Sequence, residues 1–129
     1  MKIEDIKFKA KRLDNGEWII GSFVVMKIPA LSKTTIGIVA AGGATLHEVD
    51  PSTVCMFTGL KDCKGKELFE NDLIHFVGHK PIDKVIWSEE NYAFMVASGN
   101  EPLYWLSDVQ EIGKIEIVGN KFDRKEGEK

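Results

Sequence analysis

Three histidines and two cysteines are the residues of this chain best suited to binding a metal: His47, His75, His79, Cys55 and Cys63. His75 and His79 have an H-x3-H spacing, which brings two ligands together on a helix. Here the pair falls on a predicted strand followed by a Gly-containing turn, and no C-x-x-C pair accompanies it. We therefore expect no metal and no other cofactor.

Paired carboxylates are the next candidates for chemistry. Glu70 and Asp72 form one pair and Glu89 and Glu90 another, but each pair lies in a predicted turn, where carboxylates usually cap backbone donors or face water. The chain has no G-x-S-x-G nucleophile motif, and neither cysteine has a sequence context that would activate it. The sequence therefore predicts a protein that is not an enzyme.

Length and charge limit the remaining classes of function. The 129 residues suffice for one compact core or two small subdomains. The net charge of -3 argues against a positive electrostatic potential over the whole surface that would attract nucleic acid. There is no run of about 18 apolar residues, and the amino terminus is charged where a signal peptide is apolar. We expect a cytoplasmic protein with no membrane contact, whose cysteines are unpaired and whose Cys55 is buried.

The stretch from Asp50 to Val77 contains two predicted chain reversals. An apolar run ending at Phe57 predicts a strand, and Thr58-Gly59 is a loop signal. The unit from Asp62 to Gly65 fits a type I turn, and Asn71 favours a positive φ because Asn tolerates it better than most residues. We predict structural turn roles for five residues of this stretch: Gly59, Asp62, Gly65, Asn71 and Asp72.

The same stretch resembles the signature of the YopX family of phage and prophage proteins. The flanking strands at 6–10, 85–87 and 117–120 also match, and Asn71 stands where the family usually has Gly. The resemblance implies a mainly antiparallel β fold with an SH3-like barrel in the second half, a bacterial host cell, and no established activity. The matching residues are Thr58, Gly59, Leu60, Lys61, Asp62, Gly65, Lys66, Leu68, Phe69, Glu70, Asp72, Leu73 and Ile74.

The first strands form a predicted β-hairpin. Apolar and lysine residues alternate from Ile6 to Lys11, Asp14-Asn15-Gly16 is a turn signal, and a second strand runs from Trp18 to Val25. One face of this hairpin carries a basic row that would either bind phosphate or solubilise the strand and block edge pairing. The row consists of Lys7, Lys9, Lys11 and Arg12.

Short strands separated by turn signals predict a small antiparallel β-barrel or sandwich. From Met26 the strand pattern of the sequence becomes weaker, with a strand predicted at Thr35 to Val39 and a hairpin tip or mobile loop at Gly42-Gly43. Later strands are predicted at 82–87, 92–97 and 115–118, and a helical turn at 107–111. We expect an amino-terminal hairpin subdomain at 1–53, an SH3-like barrel at 54–123, and a disordered tail at 124–129.

Aromatic side chains are the best candidates for a binding surface. Tyr104 and Trp105 point to opposite faces if the segment from Leu103 to Leu106 is a strand, so at least one of them is expected to be exposed or at an interface. Two hypotheses follow. The chain is a non-enzymatic phage or prophage accessory protein that forms homo-oligomers, or it is a nucleic-acid-binding module that uses the basic row.

Overall fold

The structure, a computed structural model, describes residues 2–78, 81–99 and 101–123. The described chain is built mainly of antiparallel strands, which confirms the predicted fold class. It divides into two compact units, Met1–Phe57 and Thr58–Lys129. His79 and the tail predicted at 124–129 lie outside the described residues. No helix in the described part of the chain has the length and apolar character needed to cross a bilayer.

The first unit is one sheet that curls back on itself, so that the residues after its first and fourth strands pair. Its strands pair in the order β4-β3-β2-β1-β5. Arg12, which follows β1, bridges to Val49, which follows β4, and the backbone N–H of Leu13 donates to the carbonyl of Glu48 at 3.0 Å. This closure buries Ala10, Ile38 and Val49. The strands are β1 (Phe8–Lys11), β2 (Trp18–Ile28), β3 (Lys33–Ala40), β4 (Leu46–Glu48) and the first half of β5 (Cys55–Lys61).

Two glycines allow the strands of the curl to approach closely. A Cβ placed on Gly21 would lie 2.1 Å from the carbonyl oxygen of Val39, and one on Gly37 would lie 2.6 Å from that of His47. Backbone atoms cannot move aside as a flexible side chain would, so both positions require glycine.

Strands β2 and β3 extend beyond the predicted limits. The β2–β3 ladder continues through Met26 paired with Thr35 and Ile28 paired with Lys33. The sequence has only a weak strand pattern in this segment. Cross-strand pairing therefore overrides the weak local pattern. A short 3-10 helix at Pro29–Leu31 closes this hairpin, and Gly42, with φ of +78°, lies in the turn between β3 and β4.

The second unit contains a five-stranded antiparallel sheet with the order β10-β9-β8-β7-β11. Helix α1 (Leu106–Ile112) lies where the helical turn is predicted and contributes to the core. Buried core residues are Leu68, Ile74, Val85, Val96, Leu106, Val109 and Ile115. The strands are β7 (Asp72–Phe76), β8 (Asp83–Ser88), β9 (Ala93–Ser98), β10 (Glu101–Trp105) and β11 (Ile115–Asn120), and β6 (Glu67–Phe69) pairs with β5.

Two local predictions were wrong. Thr58-Gly59 is not a loop, because β5 runs through it with Gly59 at φ of +87° and with the Thr58 hydroxyl donating to the carbonyl of Leu68 at 2.7 Å. That hydrogen bond satisfies the buried Thr58 hydroxyl, so Thr58 can remain inside a continuous strand. Tyr92 lies outside β9, in a turn with φ of +50°, and is exposed.

Candidate protein-binding site

Strand β10 is an edge strand of the second unit's five-stranded sheet, and all five of its residues are exposed. Leu103, Tyr104 and Trp105 keep 49%, 52% and 44% of their surface exposed. Tyr104 pairs with Val96 and Trp105 with Met95, so the two rings lie on opposite faces, as predicted. The structure thus exposes both aromatic residues, and Leu103 with them.

A cleft of about 750 Å³ lies beside β10. Its volume falls in the range of sites that take small ligands or several side chains, about 300–1,000 Å³. Polar groups on its lining belong to Asp83, Ser98, Tyr104 and Lys114. The apolar lining residues are Phe76, Val77, Pro81, Leu103 and Val109.

The end of α1 shapes one wall of this cleft. Gly113 follows the helix, and its backbone N–H donates to the carbonyl of Val109 at 2.9 Å. A Cβ on Gly113 would lie 3.0 Å from the Phe76 ring. Glycine therefore lets the end of the helix pack directly on Phe76.

The three lysines of the predicted basic row lie on β1 or just before it, and their ammonium groups contact aromatic rings. Lys9 and Lys11 place their Nζ atoms 4.6 and 5.4 Å from the ring centroid of Trp18, and Lys7 places its Nζ 4.7 Å from that of Phe57. Alternation along the first strand places no aromatic residue on the lysine face, but Trp18, on the neighbouring strand, pairs directly with Lys11.

Arg12 is separate from this row. Its Nη2 atom forms an ion pair with Asp14 at 2.6 Å. The guanidinium holds the pKa of the Asp14 carboxyl below its ordinary value through a side-chain hydrogen bond. Arg12 thus contacts a residue of the hairpin turn.

The first reversal of the signature is held by the Asp62 carboxylate, which is buried. Its oxygens accept backbone N–H groups from Lys64 at 2.9 Å, Lys66 at 2.8 Å and Ile117 at 3.1 Å. Burial alone raises the pKa of this carboxyl, but the hydrogen bonds from Ile117, Lys66 and Lys64 outweigh it, and the pKa lies below its ordinary value. Gly65 completes the turn with φ of +84°.

The second reversal is held by Asp72, which is also buried. Its carboxylate accepts the backbone N–H of Phe69 at 2.7 Å and the side-chain amide of Asn120 at 2.9 Å. Asn71 has φ of +69°, in the left-handed region that the sequence predicts there. Its N–H donates to Val85 and its carbonyl accepts from Lys121. Both reversals therefore fasten to β11 or to the residue after it.

A family comparison matches residues 7–126 to the family described as YopX protein. The chain belongs to the YopX family. This match confirms the resemblance carried by the signature, and it covers both reversals, β10 and the cleft. No curated protein matches the chain.

Within this YopX chain, the signature marks scaffold positions, and the candidate binding surface lies elsewhere. Asn71 occupies the position where the family pattern has Gly, and its positive φ explains why both residue types fit. Sequence reasoning found Tyr104 and Trp105 but missed the cleft. Its lining, among the described residues, comes from five separate segments, and no local pattern brings them together: Phe76, Pro81, Ser98, Leu103 and Lys114.

Proposed function

We propose that this YopX protein is a non-enzymatic accessory protein of a phage or prophage that binds a second copy of itself in the bacterial cytoplasm. The observation that carries the proposal is the pair Leu103 and Tyr104, which line the cleft from an exposed edge strand, with Trp105 exposed on the opposite face. Exposed apolar surface of this kind is typical of protein-binding sites. Large aromatic side chains supply much of the binding energy at such sites.

The edge of β10 favours docking through side chains. Glu101 and Pro102 occupy its first half, and the register to β9 shifts between Pro102 and Tyr104. A charge, a proline and an irregular register all discourage another strand from adding along a sheet edge. A partner would therefore contact the exposed side chains and the cleft more than the backbone.

The signature carboxylates support a non-enzymatic role. Each of the Asp62 and Asp72 carboxylates accepts hydrogen bonds on both oxygens, from backbone N–H groups and from Asn120. A general base needs a lone pair directed at substrate. Both cysteines are free thiols, which suits a reducing cytoplasm, and the phage setting is what the family resemblance implies.

The second candidate function is nucleic-acid binding at the basic row. Trp18 beside Lys9 and Lys11 favours it, because stacking rings flanked by cations are common in single-strand binding proteins. It ranks second because the ammonium groups already contact the ring on which a base would stack. Phosphate-driven binding would weaken steeply as salt rises, whereas an apolar oligomer would persist.

Sedimentation velocity over a range of concentration and salt, with and without mixed oligonucleotides, tests the proposal. We expect a multimer that resists salt and ignores the oligonucleotides. The double variant Leu103→Ser/Tyr104→Ser should sediment as a monomer, while Tyr92→Ser, at an exposed aromatic residue that belongs neither to β10 nor to the described cleft lining, should remain a multimer. A wild-type chain that stays monomeric at high micromolar concentration would refute self-association.

A further inference from the structure

The outer part of the β2–β3 hairpin, residues 25–35, has apolar side chains without a core of its own. We call this segment the arm. Val25, Met26 and Leu31 are 49%, 45% and 67% exposed. In the described register β1 pairs with β2 only from Trp18 to Gly21, and β4 pairs with β3 only from Gly37 onward, so the arm is two-stranded. A lone two-stranded ribbon is marginally stable in water, so a covering surface would stabilise it.

The tip of the arm has a well-defined conformation. Pro29 begins a 3-10 helix, the backbone N–H of Ser32 donates to the carbonyl of Pro29 at 3.1 Å, and Ser32 takes φ of +48°. Leu31, the most exposed apolar residue of the arm, therefore projects from an ordered turn. A preorganised apolar tip loses less conformational entropy on docking than a flexible loop does.

Charge distinguishes the arm from the second unit. The segment between Glu17 and Glu48 contains no acidic residue, and its two basic residues, Lys27 and Lys33, both belong to the arm. Residues 58–129 contain 10 basic and 14 acidic side chains, a formal net charge of -4. The cleft in that unit is lined by Asp83 as well as by Lys114. Opposite charge favours an encounter between an arm and a second unit.

We propose that the arm of one copy docks in the cleft of a second copy, with Leu31 seated against the apolar wall near Phe76 and Leu103. Lys27 and Lys33 would then face the acidic unit that holds the cleft. This inference rests on the self-association proposed above and names the two surfaces that meet. Because the two surfaces differ, each copy offers one arm and one cleft, and the contact is heterologous. Such contacts produce a closed ring or an open filament.

Complementation between two defective variants tests this arrangement. Leu31→Glu would inactivate the arm and Leu103→Glu the cleft, and each alone should sediment as a monomer. Mixed together, they retain one intact arm and one intact cleft, so the mixture should form a species of twice the chain mass and nothing larger. A mixture that stays monomeric would overturn the arm–cleft contact, as would either variant alone remaining a full multimer. Thermal unfolding would show that both variants are folded.

Thiol cross-linking tests the same contact without disrupting it. In a Cys63→Ser background, which removes the exposed native thiol, a short bis-maleimide should link Leu31→Cys to Leu103→Cys when the two proteins are mixed. The matched controls are Leu13→Cys, in the turn between β1 and β2, and Tyr92→Cys, both at exposed positions. Linkage no greater than in the controls, or linkage of Leu31→Cys to itself, would contradict the proposal.

The two proposals fail in different ways. A wild-type multimer whose arm and cleft do not cross-link would overturn the arm–cleft contact and leave self-association standing. A wild-type monomer at high concentration would overturn self-association itself. A variant carrying both Leu31→Cys and Leu103→Cys that gives only internally linked monomer would show that the arm reaches the cleft of its own chain, which contradicts the heterologous contact.

Discussion

The Asp62 carboxylate accepts the backbone N–H of Ile117 at 3.1 Å, although 55 positions separate the two residues. A second link, from the Asn120 amide to the Asp72 carboxylate at 2.9 Å, joins the same closing strand to the second reversal. The two aspartates of the YopX signature therefore fix β11 near its middle and at its end. The signature specifies how the second unit closes.

Replacing Asp62 should destabilise the protein. Asp62→Ala would leave three backbone N–H groups without their acceptor, including that of Ile117. Hydrogen bonds to charged groups contribute about 1.5–3 kcal/mol each, and water replaces part of this, so we expect the free energy of unfolding to fall by about 3 kcal/mol. Urea denaturation measures it. Glu89→Ala, at an exposed turn, is the control and should change stability by less than about 0.5 kcal/mol.

The contribution of Asp62 should depend on pH. Its pKa is lowered in the folded state, so the stabilisation is complete above the unfolded-state pKa of about 3.9 and is lost as pH falls through the folded-state pKa. The difference in unfolding free energy between wild type and Asp62→Asn should therefore narrow in acid. Urea denaturation from neutral to acid pH measures the difference. A gap that widens as pH falls would contradict the role assigned to the carboxylate.

Asn71 should tolerate glycine better than alanine. At φ of +69° a Cβ is strained, and Asn relieves that strain better than Ala does. We expect Asn71→Ala to lower the unfolding free energy by about 1 kcal/mol and Asn71→Gly to change it by less than about 0.5 kcal/mol. Thermal unfolding with both variants checks this. Equal losses in the two variants would mean that the Asn side chain, and not its backbone conformation, matters.

Gly37 should not tolerate a side chain. Its Cβ would lie 2.6 Å from the backbone carbonyl of His47, so Gly37→Ala would force β3 and β4 apart. Overpacking of this kind costs about 1–3 kcal/mol. Chemical denaturation should show that loss, whereas the control Ser22→Ala, exposed on β2, should be near neutral. An unchanged Gly37→Ala variant would contradict the close approach in the curled sheet.

The basic row should be dispensable for assembly. Because Lys7, Lys9 and Lys11 contact aromatic rings of the first unit, replacing all three with Glu should leave the sedimenting mass unchanged under conditions where the variant is folded. The same variant decides the second candidate function. If wild type binds oligonucleotides and the triple variant does not, the basic row is a nucleic-acid site.

Local signals in the sequence predicted the local structure. The turn at Asp14-Asn15-Gly16 and the positive φ of Asn71 depend on the preferences of single residues, and both are present. Thr58-Gly59 was wrongly predicted as a loop because the carbonyl of Leu68, which accepts the hydrogen bond that the Thr58 hydroxyl donates, lies on a different strand. Local preference cannot reveal a partner that folding supplies later.

The candidate site was only partly predictable for the same reason. Tyr104 and Trp105 stand out by residue type, but the cleft beside them forms where distant segments meet, and Gly113 contributes through its lack of a side chain. The arm was missed because Met26, Lys27 and Ile28 give a weak strand pattern on their own. Their pairing with residues 33–35 of β3 makes them a strand.

Self-association through β10 and the cleft is the central claim, and solution mass tests it most directly. Sedimentation velocity of the wild-type chain and of Leu103→Ser/Tyr104→Ser, at matched high micromolar concentration and high salt, should give a discrete multimer and a monomer. A wild-type monomer, or a double variant that keeps the wild-type mass, would contradict the claim.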